Sequence, residues 1–88
     1  MDRTSFEAAL AKEGFSEIVV VERAADGFLA SHAHPFEAKA LILNGELSIQ
    51  VGDIEQRYQS GQIFHLPPNE PHSERYGPQG VQYLVGRK

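Results

Sequence analysis

The chain has 88 residues, no cysteine and a formal net charge of −4. This length suits one compact domain, and the lack of cysteine excludes disulfides and thiolate ligands, so any transition-metal site must use nitrogen and oxygen donors. The basic residues are scattered, and no apolar run approaches the roughly 20 residues of a membrane-spanning helix, so we expect a cytoplasmic protein that binds neither nucleic acid nor membrane.

An N-terminal segment, residues 1–15, is predicted to contain a short helix. Phe6 and Leu10 have the spacing of one helical face, and Thr4 is followed three positions later by a glutamate, which is the spacing of a capping box. Gly14 suits the left-handed conformation that often ends a helix. The barrel described next is expected to begin at residue 16.

Residues 16–88 are predicted to form an antiparallel barrel of about eight short strands. Closing the sheet is how so small a β protein removes exposed edges. The strand-length segments include 18–21, 41–43, 47–51, 54–58, 63–66 and 81–85. The turn signals between them are Asp26-Gly27, Asn44-Gly45, Gly52-Asp53, Ser60-Gly61, Pro67-Pro68-Asn69 and Gly77-Pro78.

Two histidine-containing stretches carry the candidate chemistry. In His32-Ala33-His34, two imidazoles on one face of a strand can approach one ion from adjacent positions. His72 follows the proline-rich turn after a strand that ends near residue 66. Taken singly, each stretch also fits a plain alternative, in which the histidines are simply solvated.

In order along the chain, the two stretches resemble the two sequence motifs of the cupin family. In the first motif a glycine precedes His-x-His and another glycine closes the motif. Gly27 stands before His32 and His34, with the histidines one residue early, and Gly45 holds the closing position.

The second motif has a glycine, then a proline, then a histidine at fixed spacing. Gly61, Pro67 and His72 match that spacing, and Asn69 occupies a slot where glycine is usual. Asparagine tolerates positive φ better than most residues, so the turn at this slot can still form. Tyr76 departs from the pattern, because asparagine is common at its position.

The resemblance implies an all-β fold: a cupin-type antiparallel β-barrel, also called a double-stranded β-helix or jelly roll, with a short N-terminal helix. It further implies that His32, His34 and His72 hold one divalent transition metal ion, which can be iron, manganese, nickel, zinc or copper. The barrel can also be metal-free, with the histidines forming a polar pocket.

The glutamate that commonly ligates the metal in the cupin family has no direct counterpart in this sequence. Ala38 holds its usual slot, and Glu37 is one residue early, so Glu37 ligates only if a bulge or turn re-aims it. Either the site has three histidines with open positions, or Glu37 completes it. Candidates to hold the second ring nitrogens of the histidines are Glu70, Glu74 and Gln62.

Two functions remain open from the sequence. One is a metal-dependent oxygenase or isomerase acting on a small organic molecule bound to the ion. The alternative is a non-catalytic binding or sensor protein for a small-molecule ligand. Phe36 is expected to shape the pocket mouth, and His65 to be structural or solvent-facing. The resemblance also suggests a homodimer, with residues 19–21 contributing to its interface.

Overall fold

The computed structural model describes residues 1–88 as one helix and six strands. The helix α1 spans Arg3–Lys12, and the strands are β1 Glu17–Arg23, β2 Phe28–His32, β3 Ala38–Val51, β4 Ile54–Gln59, β5 Ile63–Leu66 and β6 His72–Arg87. All strand pairings are antiparallel. The helix is neither long nor apolar enough to cross a membrane.

Helix α1 begins differently from the prediction. Asp2 is the N-cap: its backbone is extended, and its carboxylate accepts a hydrogen bond of 2.8 Å from the Ser5 amide. Thr4 already lies inside the helix, so the predicted capping box at Thr4 is wrong. Gly14 follows the last helical turn with φ of +87°, as predicted for a glycine that ends a helix.

The two long strands β3 and β6 pair with each other and form the centre of the sheet. The outer partners of β6 are β2 and β1, and the outer partners of β3 are β5 and β4. Each long strand therefore pairs with one neighbour near its beginning and with another further along. One end of β6 lies beside β2, which brings the histidines of the two motifs together.

Two predicted turns are instead irregularities inside long strands. Asn44-Gly45 lies within β3, and Gly77-Pro78 lies within β6. The register between β3 and β6 shifts around Asn44 and Gly45, where φ of Gly45 is +75°. A bulge absorbs an extra residue and bends the strand without ending it. The expected eight short strands are therefore wrong in number, and two of the six strands are long and irregular.

The buried residues form two clusters on opposite faces of the sheet. The larger cluster uses alternate positions of β3 and β6, among them Ala40, Leu47 and Val85. The smaller cluster lies on the other face, where α1 packs over the cross-strand pair Leu41 and Leu84. The helix thus covers one outer face, and the larger cluster fills the space next to the histidines.

Candidate metal centre

The three motif histidines converge at the junction of β2 and β6. His32 is the last residue of β2 and lies opposite His72, the first residue of β6. His34 lies just beyond β2, where its carbonyl accepts a 2.6 Å hydrogen bond from the amide of Asn69. One donor atom from each of the three imidazoles lies within 4.8 Å of the others, an arrangement that can hold one metal ion.

The turn that leads into His72 contains Asn69. Its φ of +63° is the left-handed conformation expected for a residue in a slot where glycine is usual. The hydrogen bond from Asn69 to His34 ties this loop to the first motif. The prediction that His32 and His34 share one strand holds only for His32, because β2 ends there.

Main-chain carbonyls fix the orientation of two of the rings. His32 Nδ1 lies 2.8 Å from the Ala30 carbonyl, and His72 Nδ1 lies 2.9 Å from the Glu70 carbonyl. A carbonyl oxygen only accepts, so each Nδ1 carries a proton, and in the neutral ring Nε2 then has a free lone pair. Both Nε2 atoms are buried and have no hydrogen-bond partner.

The candidates for holding the second ring nitrogens act differently from the prediction. Glu70 contributes through its main-chain carbonyl and not through its carboxylate. The side chain of Gln62 accepts a hydrogen bond from the Gln59 amide, away from the rings. Glu74 faces the Nε2 atoms, on the opposite side of the rings from the fixed Nδ1 atoms.

Glu74 lies in a position that the sequence patterns do not predict. It is only 7% exposed, and its Oε2 lies 3.4 Å from His32 Nε2 and 3.3 Å from His72 Nε2. The hydroxyl of Tyr76 donates to its Oε1 at 3.2 Å. The signal was present in the sequence, because His72, Glu74 and Tyr76 alternate along one strand and share its buried face.

Glu37, by contrast, points elsewhere. Its carboxylate pairs with the ring of His65, which is exposed as expected, and lies 3.9 Å from the ammonium of Lys88. Its main chain also exchanges hydrogen bonds with Lys88. The alternative in which Glu37 completes the ligand set therefore does not match this structure, and Ala38, which follows it, is buried without a donor atom.

A small cavity of about 40 Å³ adjoins the histidines. Its lining comprises His34, Phe36, Ala38, Phe64, Leu66, His72, Glu74, Tyr83, Val85 and Arg87. Phe36 stacks on His34 with ring centroids 4.8 Å apart, and the Arg87 guanidinium lies 5.0 Å from the Phe36 centroid. Phe36 thus forms part of the pocket wall, as expected. Arg87 Nε is a buried donor without an acceptor.

The surroundings favour the neutral forms of His34 and Tyr83. Burial, followed by the neighbouring rings of His32 and His72, lowers the pKa of His34. Burial, followed by the nearby Glu74, raises the pKa of Tyr83, so its phenol stays protonated at physiological pH. A neutral His34 keeps a ring lone pair available for a ligand role.

Comparison with known proteins gives a consistent family and fold. The family model described as "Cupin domain" matches residues 19–76. A solved structure of unknown function from Rhizobium leguminosarum superposes with a TM-score of 0.76 at 18% identity, covering 80% of this chain and 66% of that one. The Cnp3 cupin domain of Schizosaccharomyces pombe superposes with a TM-score of 0.72 at 19% identity, covering 80% of this chain and 50% of that one.

A third structure has higher sequence identity. The DMSP lyase DddQ from Ruegeria pomeroyi superposes with a TM-score of 0.74 at 28% identity, covering 81% of this chain and 36% of that one. The chain thus spans two thirds or less of these solved proteins. No protein of curated function matches the sequence. The neighbours confirm the jelly-roll, or double-stranded β-helix, fold.

Proposed function

The chain belongs to the cupin family, and on this premise we propose that it binds one divalent transition metal ion through His32, His34 and His72 and acts as an oxygenase or isomerase on a small organic molecule. Imidazole nitrogens suit iron, manganese, nickel, zinc and copper to differing degrees, so the donors alone do not select the metal.

The unpartnered ring nitrogens support metal binding most directly. Two buried Nε2 atoms, on His32 and His72, have lone pairs and no donor. Leaving a buried acceptor unsatisfied costs about 1–3 kcal/mol. An ion that accepts both lone pairs removes this cost, and the main-chain carbonyls already hold the rings in the tautomer that ligation requires.

The residues around the cluster support a small, acidic substrate. When bound, the ion supplies Lewis-acid polarisation of a substrate oxygen or a place for oxygen activation. Arg87 offers a buried Nε–H that can donate to a substrate carboxylate or carbonyl. Phe36, Phe64 and Tyr83 line the same cavity and give it a partly apolar wall.

The non-catalytic alternative is favoured by the size of the cavity. Its volume of about 40 Å³ has room for only a few water molecules, so most of any larger ligand must sit at the barrel mouth. A protein that only senses or stores a ligand needs no more than one anchoring group inside. In this alternative the ion holds the ligand without turnover.

Turnover assays separate the two functions. Untagged protein loaded separately with each of the five metals is incubated, with and without air, with a panel of small carboxylic acids and diketones. Oxygen uptake with a new product, read by an electrode and NMR, supports an oxygenase, and conversion without oxygen supports an isomerase. A ligand that raises the melting temperature yet forms no product under any condition overturns the enzyme proposal in favour of binding.

Two arginine variants test the substrate class. Arg87→Met is expected to weaken binding of carboxylic acids, because it removes the only arginine donor in the cavity. Arg75→Met is the matched control, since Arg75 is exposed on the same strand. Equal affinity of both variants and the parent for every acid on the panel contradicts a role for Arg87.

A further inference from the structure

We propose that Glu74 is a fourth ligand of the metal ion, so that the carboxylate of the site comes from β6. The inference rests on the metal binding proposed above for His32, His34 and His72 and names a residue outside that set. Neither Ala38 nor Glu37 supplies the carboxylate in this chain: the first has no donor atom, and the second pairs with His65.

The strand geometry brings Glu74 to the ring nitrogens directly. His72 and Glu74 are two residues apart on β6, so both side chains lie on the same face. Both are buried, at 2% and 7% exposure. His32 lies opposite His72 in the antiparallel register, so the carboxylate and two imidazoles meet through regular strand pairing.

The distances fit one coordination sphere. Donor atoms about 2.1 Å from a common ion are about 3.0 Å apart in an octahedral arrangement and about 3.4 Å apart in a tetrahedral one. Glu74 Oε2 is 3.4 Å from His32 Nε2 and 3.3 Å from His72 Nε2. For these two contacts of Glu74, a shift of a few tenths of an ångström is enough to accommodate either geometry.

A metal cation between Glu74 and the two imidazoles would offset the charge of the buried carboxylate. The only basic groups within ion-pair distance of the Glu74 carboxylate are the two imidazoles, with no lysine or arginine among them. A buried carboxylate without a positive partner is costly. One divalent ion between the three atoms satisfies both lone pairs and the carboxylate.

Tyr76 holds the carboxylate in this orientation. Its hydroxyl donates to Oε1, which leaves Oε2 directed at the two rings. A hydrogen bond to the second oxygen of a ligating carboxylate is the usual outer support of a metal site. Tyr76 itself is 6% exposed, so this support is fixed by packing.

The test compares Glu74→Gln with Glu37→Gln, a matched removal of the other nearby carboxylate. Chelator-treated, untagged proteins are titrated with Zn²⁺ in competition with a chromophoric chelator, and with Co²⁺ for its visible absorption. We expect Glu74→Gln to weaken Zn²⁺ binding at least about tenfold and to change the Co²⁺ spectrum. Glu37→Gln should keep the parent affinity within about twofold and the parent spectrum.

A measurement on the parent covers the case in which Glu74→Gln does not fold. In ¹³C-labelled parent protein, Zn²⁺ is expected to shift the side-chain Cδ resonance of Glu74 and to leave that of Glu37 in place. If the parent binds Zn²⁺ while Glu74→Gln binds equally well, or while the Glu74 resonance stays unmoved, the ligand role is overturned and the histidine site stands. If the parent binds neither metal, the proposed metal function fails as well.

Discussion

Alanine at Gly45 is expected to destabilise the protein far more than alanine at Gly52. Both glycines have positive φ, +75° and +58°, so alanine costs about 1–2 kcal/mol at either from the left-handed conformation alone. A Cβ at Gly52 meets nothing within 4 Å. At Gly45 it overlaps the Gly80 carbonyl oxygen and lies 2.9 Å from the carbonyl carbon and 3.0 Å from Val81 Cα.

The neighbours of Gly45 are main-chain atoms of β6, which cannot move aside without disturbing the central strand pair. Overpacking of this kind adds about 1–3 kcal/mol. With about 4–8 °C per kcal/mol for a domain of this size, Gly52→Ala should lower the melting temperature by about 4–16 °C. The overlap at Gly45 should lower the melting temperature of Gly45→Ala by about 4–24 °C more, or prevent folding.

Circular dichroism melts and urea unfolding of the two variants check this expectation. Gly52→Ala is the control, because it carries the same conformational cost without the overlap. Equal losses in the two variants would refute the reasoning that the close approach of β3 and β6 at Gly45 requires a glycine.

Two further predictions concern the outer surfaces of the barrel. Leu10→Ala should lower the free energy of unfolding by about 2–5 kcal/mol in urea, because Leu10 is fully buried under the sheet, while leaving the metal content of folded protein unchanged. A loss below about 1 kcal/mol would contradict the packing of α1. Of the predicted interface residues 19–21, Val19 and Val21 pack against the larger cluster and only Val20 faces outward. Val20 is 43% exposed and Ile18, on the same face of β1, is 40% exposed, so we expect this face to form a homodimer. Light scattering should show a dimer that Val20→Asp converts to monomer; a monomeric parent at micromolar concentration argues against it.

Much of the fold follows from local patterns in the sequence. The apolar segment 63–66 coincides with β5, and the turn signals at Gly52-Asp53 and Ser60-Gly61 lie between β3, β4 and β5. The sequence predicts a turn at Asn44-Gly45 where the structure has a bulge, because a positive-φ glycine serves a hairpin and a bulge equally well. Only the partner strand decides between the two, and β6 is distant in sequence.

The candidate site is likewise only partly predictable from the sequence. The spacing of His32, His34 and His72 was enough to single them out, and the structure brings them together. The sequence predicts Glu74 only as a partner for a second ring nitrogen, because its role depends on which face of β6 is buried. Glu37 stayed open as a ligand, because its pairing with His65 arises from the β3–β5 contact and not from local spacing.

Metal analysis of untagged protein tests the central claim most directly. Parent protein is compared with His72→Ala, and with His65→Ala as the control, since His65 lies outside the histidine cluster. We expect about one equivalent of a transition metal in the parent and in His65→Ala, and little in His72→Ala. Equal, negligible metal in all three folded proteins, even after incubation with each of the five metals, would contradict the metal site.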